Sequence, residues 1–125
     1  MKEKVRIGVI GLGGMGQEHI IRIKDIPEAE LTAVSDIDPE LTKKSSEENK
    51  VPGFTDYKKL LASTLIDAVL IATPHYFHPE IGIASMEAGI HCLSEKPIAV
   101  SVDAADKFVE AARKNKRVFA VMYQY

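Results

Sequence analysis

Short apolar runs alternate along this chain with longer segments in which apolar residues recur every three or four positions, the signature of strands alternating with amphipathic helices. Val5 to Ile10 is one such run and ends in glycines, as a strand covered on both faces does. From Met15 to about Lys24, Ile20 and Ile23 share a helical face while Gln17, Glu18, Arg22 and Lys24 fall mostly elsewhere, until Pro27 prevents continuation. Leu31 to Ser35 reads as the second strand. Asp38-Pro39-Glu40 combines an oxygen-bearing cap, a proline at the first helical position and an acid in the first turn, predicting a helix to about Glu48. A weak strand at Gly53-Phe54 and a short helix from about Tyr57 to Ala62 come next.

Asp67 to Ala72 is the fourth strand, and beyond Pro79 the residues Ile81, Ala84, Ser85 and Ala88 lie on one face of a helix that Gly89 stops. His91 to Leu93 is the fifth strand, followed at once by Glu95, Lys96 and Pro97, a charged pair and a rigid proline at the edge of the predicted core. Ser101 is read as the cap of a helix that buries Ala105, Phe108, Val109 and Ala112 and ends in Arg113, Lys114, Lys116 and Arg117. Val118 to Met122 is the sixth strand. Strands alternating with helices imply right-handed crossovers and a parallel sheet covered on both faces. The expectation is therefore an α/β, doubly wound, Rossmann-like three-layer fold in one domain, residues 1–125, with strand order 3-2-1-4-5-6.

Composition narrows the partners. With 125 residues and 46% hydrophobic content, the chain can bury a core, on the order of two-thirds of its unfolded surface. A net charge of -2 and a pI near 6.1 give no field that draws it to nucleic acid or anionic lipid. The basic cluster at 113–117 belongs where it is, because a helix dipole favours cations at its C-terminus. The basic start followed by an apolar stretch superficially resembles a signal peptide, but glycines interrupt it and polar, helical sequence follows, so that reading is rejected. No segment approaches the ~20 apolar residues of a membrane span. A single cysteine, Cys92, reads as a small buried hydrophobe with a free thiol, and a cytoplasmic setting is the default.

Gly11-Leu12-Gly13-Gly14-Met15-Gly16 matches G-x-G-x-x-G, leaving a strand and opening a helix. Gly11 permits the tight turn, Gly13 lets backbone approach a pyrophosphate, and Gly16 lets the helix lie close to the sheet. Free N–H groups and the positive end of the helix dipole then face the phosphates. Asp36 ends the second strand twenty residues beyond Gly16, where an acid holds an adenosine ribose and repels a 2′-phosphate. Ile37, and no arginine, follows it, so NAD is favoured over NADP. Lys43 and Lys44 are assigned to the solvent face of their helix and Asp38 to its cap. No cysteine pair or carboxylate stands near His75, His78 and His91 at ligand spacing, so no metal is expected. His19 is read as a packed residue.

IATPHYFHPEI (residues 71 to 81) and MEAGIHCLSEKPIA (86 to 99), in this order after the glycine loop and Asp36, closely resemble the glucose-fructose oxidoreductase, inositol dehydrogenase and MocA family across essentially the whole chain. The resemblance implies an NAD(P)-dependent oxidoreductase acting mostly on sugars, cyclitols and related polyols or keto compounds, with this chain as its nucleotide-binding half. It further implies that Thr73 and Pro74 line the cofactor groove. Lys96 would stand beside the nicotinamide and the substrate hydroxyl, donating a hydrogen bond or, with lowered pKa, helping to move the hydroxyl proton as hydride leaves the carbon. Glu95 would contact the nicotinamide ribose and hold Lys96, and Pro97 would fix the turn through a bond often cis in the family. Gln124 matches a family amide near the nicotinamide. His78 matches a frequent family histidine or caps the helix that follows, and His75 stands where the family commonly has asparagine, with an imidazole that can still hydrogen-bond.

Family members continue into a second, mainly antiparallel domain that supplies most of the substrate pocket, and this chain stops at Tyr123-Gln124-Tyr125, where that domain would begin. The expectation is a polypeptide that binds dinucleotide with little or no turnover. The alternative is a stand-alone NAD-binding regulatory module. The face that would meet the second domain is expected to be apolar and to favour a homo-oligomer. The dihydrodipicolinate reductase group shares a similar glycine loop, but its later motifs do not match residues 73 to 97.

Overall fold

The computed structural model describes residues 4–73, 78–95 and 102–122. Eleven elements run in the order β1 (Val5–Ile10), α1 (Gly14–Lys24), β2 (Ala29–Ser35), α2 (Pro39–Asn49), β3 (Gly53–Phe54), α3 (Tyr57–Leu61), β4 (Ala68–Ile71), α4 (His78–Glu87), β5 (His91–Glu95), α5 (Val102–Asn115) and β6 (Phe119–Met122). Every ladder is parallel, and the strands lie in the order β3-β2-β1-β4-β5-β6. After β3 the chain crosses back to the far side of β1, so a topological switch point falls between β1 and β4.

Two apolar clusters sandwich the sheet, as period-two alternation along buried strands requires. Val9, Val34 and Leu70 join Leu12, Ile20 and Ile23 on the face covered by α1, with Leu41 of α2 packed at its margin. Ile10, Ala33, Val69, Ile71 and Cys92 point the other way, toward Leu60, Ile81, Met86 and Ala111 of α3, α4 and α5. Burial pushes the Cys92 thiol up to about 12, consistent with its role as packing. His19 is likewise buried. Gly8 leaves room for the helical layer: a Cβ there would stand 3.0 Å from Ile66 Cγ2 and 3.4 Å from Leu60 Cδ2.

The helix ends obey local chemistry. Asp38 accepts hydrogen bonds from Glu40 N at 2.9 Å and Leu41 N at 3.4 Å, capping α2 as expected. Gly89 (φ +84°) closes α4 in a Schellman arrangement, Ile90 N donating to Ser85 O and Gly89 N to Met86 O. At the opposite end of the sheet from the strand termini, Arg6 grips Asp67 through two side-chain hydrogen bonds and its own backbone N–H, holding β1 to the start of β4.

Several details differ from the sequence reading, the fourth strand being Ala68–Ile71 and the sixth starting at Phe119 among them. The second strand starts at Ala29 and the fifth runs on to Glu95, because parallel ladders are built from backbone and tolerate polar residues at strand ends: Glu30 pairs with Arg6, and Glu95 with Met122. Val109, expected in the core, is 43% exposed, whereas Ala111 is 7% exposed. Two positions apart on a helix is about 200° of rotation, so seating Ala111 on α4 turns Val109 outward. The side chains of Ala105 and Phe108, and Ser101 altogether, lie outside the described residues.

Candidate functional site

The turn from β1 into α1 is fixed by missing side chains. Gly11 has φ +101°, and a Cβ on it would meet the Ala72 carbonyl carbon at 2.7 Å and Thr73 N at 2.8 Å. At Gly16 a Cβ would lie 1.9 Å from Gly11 O, so only glycine lets α1 pack against the end of β1. Gly13 differs, since a Cβ there meets nothing within 4 Å. No side chain caps α1 and its first turn carries no acid, so the positive end of the helix dipole is left for something else.

Beside this turn, a cleft of about 510 Å³ opens over the carboxyl ends of β1, β2, β3 and β4. Gly11 and Gly13 form one wall, Ser35, Asp36 and Ile37 the next. Thr55 and Tyr57 close the side toward α3, while Ala72, Thr73, Glu80 and Ile81 face them from β4 and α4. Asp36 is held rigidly: Oδ2 accepts from Leu12 N at 2.8 Å and Oδ1 from Asp38 N at 2.9 Å. Two further acceptor positions on those oxygens remain for a ligand, because an ionised carboxylate offers about four. On the opposite wall Tyr57 Oη donates to Glu80 Oε1 at 3.4 Å, and burial with the neighbouring Glu80 charge holds the phenol pKa above its ordinary value.

Of the residues singled out from sequence, Gly11, Gly13, Asp36, Ile37 and Thr73 meet in this cleft. Leu12 does not, since its side chain is 1% exposed in the core and its N–H is spent on Asp36. Its task is to aim the carboxylate. Gly16 is a buried spacer, and Gly14 and Met15 open α1 without lining the cleft. Lys43 and Lys44 are exposed on α2, as expected. Pro74, His75, Lys96 and Gln124 lie outside the described residues, as do the side chains of His78 and Glu95. Thr55, Tyr57 and Glu80 were not anticipated, because only the tertiary fold brings the β3–α3 junction against α4. No group of His, Cys, Asp and Glu suited to a metal occurs among the described residues.

A second hollow of about 500 Å³, more open to solvent, lies between α4 and α5 among Ile83, Glu87, Asp106, Lys107, Glu110 and Lys114. It lies away from the strand ends, and it lacks the glycine turn and the backbone-held carboxylate. The cleft at the switch point is the site with built chemistry.

Comparison with known proteins agrees with that geometry. A family model described as an oxidoreductase family with an NAD-binding Rossmann fold matches residues 5–123. Inositol 2-dehydrogenase of Corynebacterium glutamicum strain R is 34% identical over 118 residues, which cover 91% of this chain and 34% of that protein. The crystal structure of the WlbA dehydrogenase from Bordetella pertussis in complex with NADH and UDP-GlcNAcA superposes with a TM-score of 0.93 at 30% identity, over 96% of this chain and 37% of that one. Scyllo-inositol dehydrogenase from Lactobacillus casei, with bound NAD(H) and scyllo-inositol, gives 0.89 at 29% identity, over 95% of this chain and 36% of that one. The chain thus spans about a third of the length of the relatives it matches. With the glycine turn, the aimed carboxylate and the strand order in place, this chain belongs to the glucose-fructose oxidoreductase, inositol dehydrogenase and MocA family of NAD-binding Rossmann-fold oxidoreductases.

Proposed function

We propose that this chain is the dinucleotide-binding domain of an oxidoreductase that transfers hydride between a nicotinamide cofactor and a sugar, cyclitol or related polyol. The observation that carries the reading is Asp36, clamped by two backbone amides on the cleft wall beside Gly13. NAD, when bound, supplies the hydride-accepting ring; the residues here bind and orient it. They fit that group: Gly13 leaves space for close backbone approach, α1 offers an uncapped positive end to a diphosphate, and Asp36 accepts from ribose hydroxyls. Among the described lining residues there are two carboxylates and no lysine or arginine, which disfavours the extra phosphate of NADP.

Thr73 lines the groove at the end of β4, family resemblance supports cofactor-binding roles for Pro74, His75 and His78, and Gly14, Met15 and Gly16 belong to the turn that serves the diphosphate. Lys96, next in sequence to the last residue of β5, holds or moves the hydroxyl proton, with Glu95 and Gln124 at the nicotinamide end; family resemblance supports these roles. Family resemblance supports a substrate pocket made mostly by a second domain, and the matched stretch is 34% of the Corynebacterium relative, so residues 1–125 taken by themselves are expected to bind dinucleotide without steady turnover. A cytoplasmic setting is supported by the single buried free thiol, and self-association through the face that would meet a second domain would appear in light scattering as a mass that rises with concentration.

Calorimetric titration with NAD and NADP, on wild type and on Asp36→Ala checked for folding by circular dichroism, tests the reading. NAD is expected to bind wild type at least about tenfold tighter than NADP, and Asp36→Ala to lose most of that difference. A folded Asp36→Ala protein with undiminished NAD affinity would overturn it.

A further inference from the structure

The two carboxylates of the cleft are held differently, and the difference suggests different partners. Asp36 is fixed from both sides by backbone at 2.8 and 2.9 Å and stands at the end of β2. Glu80 comes from the first turn of α4 on the opposite wall and takes a long hydrogen bond, 3.4 Å from Tyr57 Oη. That length is beyond the usual O–H···O range, so the contact is weak and leaves most of the Glu80 acceptor capacity for a ligand. Tyr57 stays a donor across neutral pH, because burial and the Glu80 charge raise its pKa. The same cleft is lined by apolar Ile37, 85% exposed, Leu41 and Ile81, with Thr55 and Thr73 among its polar members. A cleft that combines such apolar side chains with an anion that can only accept hydrogen bonds suits a flat heteroaromatic ring bearing an amino group.

We infer that Glu80, beside Tyr57, accepts a hydrogen bond from the exocyclic amine of the dinucleotide's adenine and makes the cleft selective for a 6-aminopurine. The inference rests on the dinucleotide reading above and deepens it by assigning the base-reading group. It requires nothing of the nicotinamide end. Replacing the amine by a carbonyl, as in nicotinamide hypoxanthine dinucleotide, sets an acceptor against the Glu80 carboxylate while leaving the diphosphate and both riboses unchanged.

The test is a calorimetric titration of wild type and Glu80→Gln with NAD and with the hypoxanthine analogue. Glu80 is exposed, so the variant is expected to fold normally. Wild type should bind NAD at least about tenfold tighter than the analogue, as befits a hydrogen bond to a charged acceptor. In Glu80→Gln, whose amide can donate as well as accept, the preference should fall within about threefold. Equal binding of both ligands to wild type, or a Glu80→Gln protein that keeps the wild-type preference, overturns this inference and leaves the dinucleotide reading standing. Binding of neither ligand at millimolar concentration overturns the dinucleotide reading itself, and the inference with it.

Discussion

Adding one methyl group at two glycines of the same loop should separate folding from binding. At Gly16 the new Cβ would lie 1.9 Å from the Gly11 carbonyl oxygen, so α1 must shift by more than an ångström or the turn must open. Such overpacking costs about 1–3 kcal/mol, and a rigid backbone neighbour puts Gly16→Ala at the upper end. For a domain of this size that lowers Tm by roughly 5–15 °C. At Gly13 the Cβ meets nothing within 4 Å, and φ -74° with ψ -164° suits any residue. The entropy that alanine removes from the unfolded chain offsets its poorer capping, leaving stability within about 0.5 kcal/mol of wild type. Its methyl would nevertheless stand between the loop and a diphosphate, weakening charge-assisted hydrogen bonds by enough to reduce NAD affinity about ten- to a hundredfold. Thermal unfolding and calorimetric titration of both variants read the two effects separately. A Gly16→Ala protein that melts like wild type, or a Gly13→Ala protein that binds NAD undiminished, would refute the division of labour.

Two further predictions concern stability and reactivity. Hydrogen bonds from the Arg6 side chain and backbone lower the pKa of the half-buried Asp67, so its contribution is present above the unfolded carboxylate pKa and is lost as pH falls through the folded one. Asp67→Asn should cost only about 0.2–1 kcal/mol at pH 7, less in high salt, and progressively less as pH falls below the ordinary carboxylate range, as measured by denaturant unfolding; a cost independent of pH would contradict the ionic account. Cys92, with its thiol pushed up to about 12 by burial, should resist iodoacetamide at pH 8 in the native state and react once unfolded, as followed by mass spectrometry.

The fold was legible because each element carries its own local signal. Val5–Ile10 is apolar enough to be covered on both faces, Asp38-Pro39-Glu40 starts a helix, and Gly89 ends one. The order of strands carries no local signal; it was expected by analogy with the dinucleotide-binding arrangement, and the sheet has that order. Helix rotation was less legible: Val109 and Ala111 are both apolar, and the seat on α4 decided between them. Within the site, the glycine spacing and Asp36 could be read because they lie in one βαβ unit. Leu12 was read as part of a phosphate loop, yet its amide turns inward to Asp36, which depends on where the second strand ends relative to the first. Tyr57 and Glu80 stand 23 residues apart with no shared period, and only packing of α3 near α4 joins them.

The most direct test of the central claim is a residue-resolved NMR titration of the ¹⁵N-labelled protein with NAD. The account predicts saturable amide shifts concentrated at Gly11, Gly13, Asp36, Ile37 and Tyr57, with the α4–α5 hollow around Lys107 and Glu110 unmoved. Shifts centred on that hollow, or none anywhere at millimolar NAD, would contradict it.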